Sequence, residues 1–374
     1  MKMTAIQPVW TTFAVLGLFH VSFSAPKAYA SDWSELASHP LLPPATASAQ
    51  LDSILHPDSV PLPLPTYQKI FDAVDRTHLL TVLREMTGYL PVKVNGTTFQ
   101  ITNRYAPASK AQFRAYFKQY FQELGISTQE MSYNTKHRAG ETQGHDLEAV
   151  LPGKSKDSVV IIVHYDSIGK RGQETANPGV DDDMTGMAIM LETAKLLAPY
   201  AGTLQHTIRF VAADYEEWAF PGLEGARFYA KYLKDLSVSQ SFRILAAVDN
   251  EQSGWNCAKD RRCGDSSIGD TFDVFSCSGD SKNFNFKQIG DDLQKVAQTY
   301  SKLKVTRDCI SENSDHYAMW EIGVPAVVFS EHRPFNNDHF DQRGRDTFDK
   351  IDQDYFFSIA QVGVTFAATL AGAE

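Results

Sequence analysis

Ser158-Val159-Val160-Ile161-Ile162-Val163-His164-Tyr165-Asp166 decides the fold. Its first part is a β-branched run with no polar alternation, the pattern of a strand covered on both faces. Three similar runs follow, at Thr207–Val211, Ile244–Val248 and Ala326–Phe329. Thr185–Leu197, between the first two, reads as a helix. Tyr67–Thr87 and Ser109–Leu124 also carry helical spacing; in the second, Phe113, Tyr116, Phe117, Tyr120 and Phe121 recur at intervals of three and four, and Ser109 is a plausible N-cap. Tyr355–Leu370 closes the pattern as an amphipathic helix. Strands alternating with helices predict an α/β fold: a central mixed, largely parallel sheet with helices on both faces.

Working outward, the 374 residues divide into three expected parts. Residues 1–30 have the form of an export signal: Lys2, an apolar run from Phe13 to Phe19 that His20 interrupts and Val21–Phe23 resumes, and a small-x-small site at Ala28-Tyr29-Ala30. Residues 31–65 are rich in Pro, Ser and Ala, which suits a propeptide, strap or linker rather than a packed core. Residues 66–374 are expected to form the globular domain. A secreted or periplasmic protein without stable membrane insertion is implied, since the first apolar run is shorter than the ~20 residues a span needs. The net charge of −10 argues against nucleic acid and anionic membranes as partners.

Four cysteines, Cys257, Cys263, Cys277 and Cys309, suit disulfides in an exported chain. Cys257 and Cys263 flank a short polar loop and are expected to pair, which leaves Cys277 with Cys309 by elimination. Their spacings lack the paired short loops of a four-cysteine zinc site.

The reactive residue types collect just after the strands, where ligands bind in open α/β sheets. His164 leaves its strand with Asp166 two positions on, so that the carboxylate can hold the imidazole in one tautomer. Asp181-Asp182-Asp183 precedes the helix at Thr185; capping a helix needs fewer acids than three, and three neighbours repel unless a cation neutralises them. Glu216-Glu217 follows the second strand, and adjacent side chains pointing apart allow one to ligate a metal while the other acts as a base. Asp249 follows the third strand directly. His316, in Ser314-Asp315-His316, and His339 lie in later loops. Each has a bland explanation alone, but together His, Asp, Glu, Asp and His with a spare Glu suit two zinc ions, whereas an all-oxygen calcium site would not need the imidazoles.

In this order — His-x-Asp, Gly-x-Asp-Asp-Asp-x-x-Gly, Glu-Glu, Asp off a strand, Ser-Asp-His and a terminal Asp-Thr — the motifs resemble the co-catalytic zinc aminopeptidases of the bacterial leucyl aminopeptidase type, from Tyr67 onward. That family also holds glutamate carboxypeptidases and glutaminyl cyclases. The resemblance implies two zinc ions, with His164 and Asp249 on one, Glu217 and a C-terminal histidine on the other, and Asp181 bridging them. It implies Glu216 as the general base and acid, Asp166 as the carboxylate orienting His164, and Asp315 as a residue beside the ligands or the substrate. The sequence departs from the family before Asp346-Thr347, where Gln342 stands at the position of the usual last histidine. A loop longer by three residues makes His339 that ligand, with His316 and His332 as alternatives.

The implied reaction is hydrolysis of the N-terminal bond of peptides with a free N-terminus, through a water shared by both metals and activated by Glu216. A single-zinc glutaminyl cyclase of the same fold is the main rival; its branch resembles Asp-Ser where this chain has three acids. A binding protein that has lost catalysis is a second rival, disfavoured because Glu216 is present.

Overall fold

A computed structural model describes residues 64–135, 141–168, 177–217, 222–260, 263, 269–278, 286–310, 314–337 and 344–373. The expected export signal and nearly all of the Pro-rich segment lie outside these residues.

The chain enters through two helices, α1 (Pro65–Ala73) and α2 (Arg76–Met86), and a small hairpin of β1 (Val92–Val94) and β2 (Thr97–Phe99). The continuous helical pattern expected over Tyr67–Thr87 is broken at Asp75, whose carboxylate accepts the Thr77 and His78 amides and so caps a second helix. Helix α3 runs from Pro107 to Glu123. It starts earlier than a Ser109 cap requires, because Pro107 takes the first turn, where its missing N–H costs nothing, and Asn103 Oδ1 accepts the Tyr105 and Ala106 amides.

Then follow β3 (Ser127–Asn134), β4 (Gln143–Leu151), β5 (Ser155–His164), α4 (Met184–Leu197), β6 (His206–Ala213), α5 (Glu224–Gln240), β7 (Ile244–Glu251), β8 (Thr271–Ser278), α6 (Lys287–Tyr300), β9 (Lys304–Ile310), α7 (His316–Glu321), β10 (Ala326–Glu331) and α8 (Gln353–Ala371). Among the described residues eight strands form one mixed sheet in the order β3-β4-β6-β5-β7-β10-β8-β9. The four apolar runs read from the sequence are its centre, β6-β5-β7-β10, and all three contacts among them are parallel.

Both faces of that centre are covered, and the alternation along β5 shows how. Val159, Ile161 and Val163 pack into a core with α4 and α8, while Val160 and Ile162 join Tyr229 of α5 and Trp320 of α7 on the other side. This is why β5 reads as continuously apolar. The four cysteines pair as expected, Cys257 with Cys263 and Cys277 with Cys309, the latter tying β8 to β9. Among the described residues no helix is long and apolar enough to cross a membrane.

Candidate metal centre and active site

The carboxyl ends of β5, β6 and β7 meet at one edge of the sheet. Ile162 of β5 pairs with Asp249 of β7, so the level of His164 is reached by Glu251, two residues further on. His164, Asp249 and Glu251 continue the alternation of Ile162 and Ala247 and emerge on the α5–α7 face.

His164 is buried, and its Nδ1 lies 3.2 Å from the Asp166 carbonyl oxygen and 3.6 Å from Asp166 Oδ1. Both oxygens only accept, so Nδ1 carries the proton and Nε2 is left to face the acids. Nε2 lies 3.1 Å from Asp182 Oδ1 and 3.8 Å from Glu251 Oε2. His164, Asp182 and Glu251 each offer one atom to a group with all separations within 4.8 Å; Asp183, Asp249 and Glu251 make a second such group.

Two of the residues expected as ligands stand differently from that expectation. The middle acid of the triplet, Asp182, turns towards His164. Asp181, expected as the bridge, turns away: its Oδ1 accepts the Gly254 amide at 2.7 Å and its Oδ2 the Asn337 amide group at 3.2 Å. Consecutive side chains on a tight turn diverge, and which one faces the imidazole is set by the turn, not by a period. Asp249, expected to share an ion with His164, instead joins Asp183 and Glu251, and its Oδ2 accepts the His316 amide at 3.0 Å. Glu251 was missed, although the two-residue period from Asp249 points to it.

The triplet is held from three sides. Asp183 Oδ1 caps α4 by accepting the Gly186 amide, so part of the acidity does serve the helix. Gly186 is required there because a Cβ would run into the Asn250 carbonyl oxygen of β7. Asp346 Oδ1 accepts the Asp181 amide at 2.8 Å and its Oδ2 the Asp182 amide at 3.0 Å. The Asp-Thr end of the motif thus clamps the acidic turn. Arg104, fully buried, donates to the carbonyls of Met86, Tyr165, Pro178 and Gly179, joining the His164 loop to the triplet loop. Burial draws its pKa down to about 10, opposed first by Asp346, so it remains a cation beneath the acids.

Glu216 and Glu217 stand beside this group, partly exposed. Their amides are both accepted by Asp166, at 3.0 and 3.2 Å. Asp166 therefore touches both the imidazole and the glutamate turn. Ser314-Asp315-His316 closes the other side: Ser314 Oγ donates to Glu251 Oε2 at 2.9 Å, and His316 holds Asp249. Gln252, also unforeseen, places Nε2 3.2 Å from both Asp182 Oδ2 and Glu251 Oε1. His332 is paired with Asp273 at 2.6 Å. His339 lies outside the described residues.

So many buried acids raise one another's proton affinity. Burial, reinforced by Asp182 and Asp249 against the pull of His164, pushes Glu251 up to about 7. Burial and then Glu251 raise Asp183 well above the carboxylate range; burial, Glu251 and Asp315 do so for Glu216, and burial, Asp182 and Glu216 for Glu217. For His164, burial opposes the charged form, but Glu216, Asp166, Asp182 and Glu251 outweigh it and raise its pKa. Asp183 Oδ2, Asp249 Oδ1 and both Asp315 oxygens are buried without a hydrogen-bond partner among the described residues. An imidazole nitrogen among unsatisfied carboxylate oxygens is a donor set that fits a divalent cation such as zinc.

The comparisons agree with this chemistry. Two curated relatives are similar: a probable leucine aminopeptidase of Arthroderma otae, 25% identical over 61% of this chain and 58% of its own length, and a probable zinc metalloprotease of Pyricularia oryzae, 27% identical over 61% and 50%. The chain thus spans less than two thirds of these relatives, and both are fungal, so the resemblance stands at the level of the family rather than of a bacterial branch. Among solved structures, the LapA aminopeptidase of Legionella pneumophila superposes with a TM-score of 0.62 at 20% identity, covering 86% of this chain and 79% of that one. A glutaminyl cyclase of Macrostomum lignano superposes with the same score at 15% identity, covering 83% and 93%, so these likenesses speak for the fold and do not separate the two activities. A profile of peptidase family M28 matches residues 146–367, more than half of the chain and all of its central strands. With His164, the acidic turn, the glutamate pair and Asp346 all inside that stretch, the chain belongs to peptidase family M28.

Proposed function

We propose that the protein is an exported zinc aminopeptidase that cleaves the first bond of peptides with a free N-terminus. The observation that carries this reading is the convergence of His164 Nε2, Asp182 and Glu251 within 4.8 Å, beside a glutamate pair, in a chain of this family. Names among the relatives support the metal and the reaction: a leucine aminopeptidase and a zinc metalloprotease.

His164, Asp182 and Glu251 would hold one zinc ion. Glu217, whose proton affinity Asp182 raises more than any other acid does, would hold a second together with Asp182 and His339. Bound there, the ions would acidify a water and polarise the scissile carbonyl.

The chain's own groups do the rest. Glu216 is not among the ligands, so its carboxylate is free to take the proton of the attacking water and return it to the leaving amine. Asp166 fixes the His164 tautomer and the glutamate turn together, so ligand and base keep one relative position. Asp315, both of whose oxygens are buried without a hydrogen-bond partner among the described residues, would stand beside the ligands or the substrate.

A panel of aminoacyl p-nitroanilides, assayed with and without chelator beside a metal count, tests the reading. It expects chromophore release that chelator abolishes and zinc restores, with two ions per chain. A fully zinc-loaded protein that releases no chromophore, or one zinc per chain with cyclisation of N-terminal glutamine, would replace it by the cyclase reading.

A further inference from the structure

We propose that Lys110 is the positioning residue of the Glu216–Glu217 turn, acting through Asp214 and Tyr215; this rests on the aminopeptidase reading for its catalytic consequence. Lys110 lies on α3, far from the motifs, yet it is almost wholly buried. Its Nζ lies 3.1 and 3.2 Å from the two oxygens of Asp214 and 2.7 Å from Glu141 Oε2. It also stands 3.7 Å from the centre of the Tyr215 ring. An ammonium held among two carboxylates and an aromatic face is costly to bury, and removing it would leave its acidic partners without their counter-charge.

What it organises is the backbone that leads to the base. Four consecutive amides at the end of β6 are each accepted by a carboxylate: Asp214 N by Asp146 Oδ1, Tyr215 N by Asp214 Oδ1, Glu216 N by Asp166 Oδ1 and Glu217 N by Asp166 Oδ2. Lys110 neutralises Asp214 directly, through both of its carboxylate oxygens. Within this cradle Tyr215 adopts φ +60°, a left-handed conformation that a bulky residue avoids without support. The Tyr215 hydroxyl donates to Glu141, the second partner of Lys110. The Tyr215 carbonyl accepts the Glu224 amide, which closes the loop. The turn that aims Glu216 is therefore fixed at the Tyr215 backbone and ring, and Lys110 touches both Asp214 and that ring.

The test is Lys110→Met in the full zinc-loaded chain, read by kcat and KM separately, by zinc content and by hydrogen exchange of the Glu216 and Glu217 amides. A misaimed base loses turnover rather than binding. We expect kcat to fall about 100-fold, as for a displacement of about 1 Å, with KM changed less than about threefold. Zinc content should hold, and both amides should exchange faster. Wild-type kcat with wild-type exchange overturns the proposal, as does a loss of turnover that only follows lost zinc or lost folded protein. If Lys110→Met does not fold, Glu141→Gln, which weakens the same anchor at its less buried end, is read in the same way; unchanged kcat and exchange in that variant also overturn it. Should the wild type turn over no aminoacyl substrate, the aminopeptidase reading fails, and amide exchange still decides the role of Lys110.

Discussion

The acidic turn at Asp181–Asp183 and the glutamate turn at Glu216–Glu217 solve one problem with different materials. Each crowds carboxylates, the first just before a helix and the second just after a strand, and each gives two successive amides to a single clamping aspartate, Asp346 for the first and Asp166 for the second. Behind the first stands Arg104, which grips backbone carbonyls; behind the second stands Lys110, which grips carboxylates. The first turn is flanked by glycines, Gly179 at φ +54° and Gly186 against β7. The second has no glycine at its bend and places Tyr215 in the left-handed region instead. A planar guanidinium with five donors suits a web of carbonyls, whereas a point charge suits paired acids. The lesson is that a like-charged turn can be fixed through its main chain or through counter-charge, and this site uses one device for each half.

The sharpest way to break the comparison is at the reacting group. Glu216→Gln keeps the shape of the glutamate turn and removes only the proposed base; turnover should fall by about 10²–10⁴-fold while bound zinc is unchanged. Equal losses of zinc and turnover would instead make Glu216 a ligand.

The next effect separates the two clamps. Asp346→Asn weakens the hold on two successive amides of the acidic turn, so zinc affinity, measured by competition with a chromogenic chelator, should fall about 10–100-fold. Asp166→Asn should depress kcat more than it depresses zinc affinity. If both variants lost metal and turnover in the same proportion, the two turns would not be separable devices.

The smallest effect lies on the outer face of α3, the helix that buries Lys110. Glu130 of β3 is drawn down to about 2 by His145, with Lys118 and Arg114 assisting against burial. Its folded pKa lies below the unfolded value of about 4.3, so its contribution is present above that pH and fades as pH falls towards 2. Glu130→Gln should cost less than about 1 kcal/mol at neutral pH, and the difference in urea midpoint should shrink in acid. A large loss would mean that the exposed and buried cations of α3 matter alike.

The central strands were legible because burial on both faces demands continuous β-branched residues, as in Val159–Val163. The outer strands were not. β3 and β9 carry polar and charged side chains at half-exposed edges, and β8 hides a buried Asp273 among its apolar residues. The site was legible in its kinds of residue and partly in their identity. His164 and the glutamate pair could be read from strand ends, but the choice between Asp181 and Asp182 depends on turn geometry that no spacing encodes. Arg104 and Lys110 left no signal at all: each is a lone cation whose partners are carbonyls or acids 18 to 104 residues away.

The Asp346 clamp sets an order on manufacture. It reaches back 165 residues to Asp181. At synthesis rates of about 5–20 residues per second, on the order of ten seconds separate the emergence of the acids from that of their acceptor. Throughout that interval the nascent chain owns the carboxylates but not the brace that spaces them, so discriminating capture of an ion belongs to the finished polypeptide and not to the one still on the ribosome.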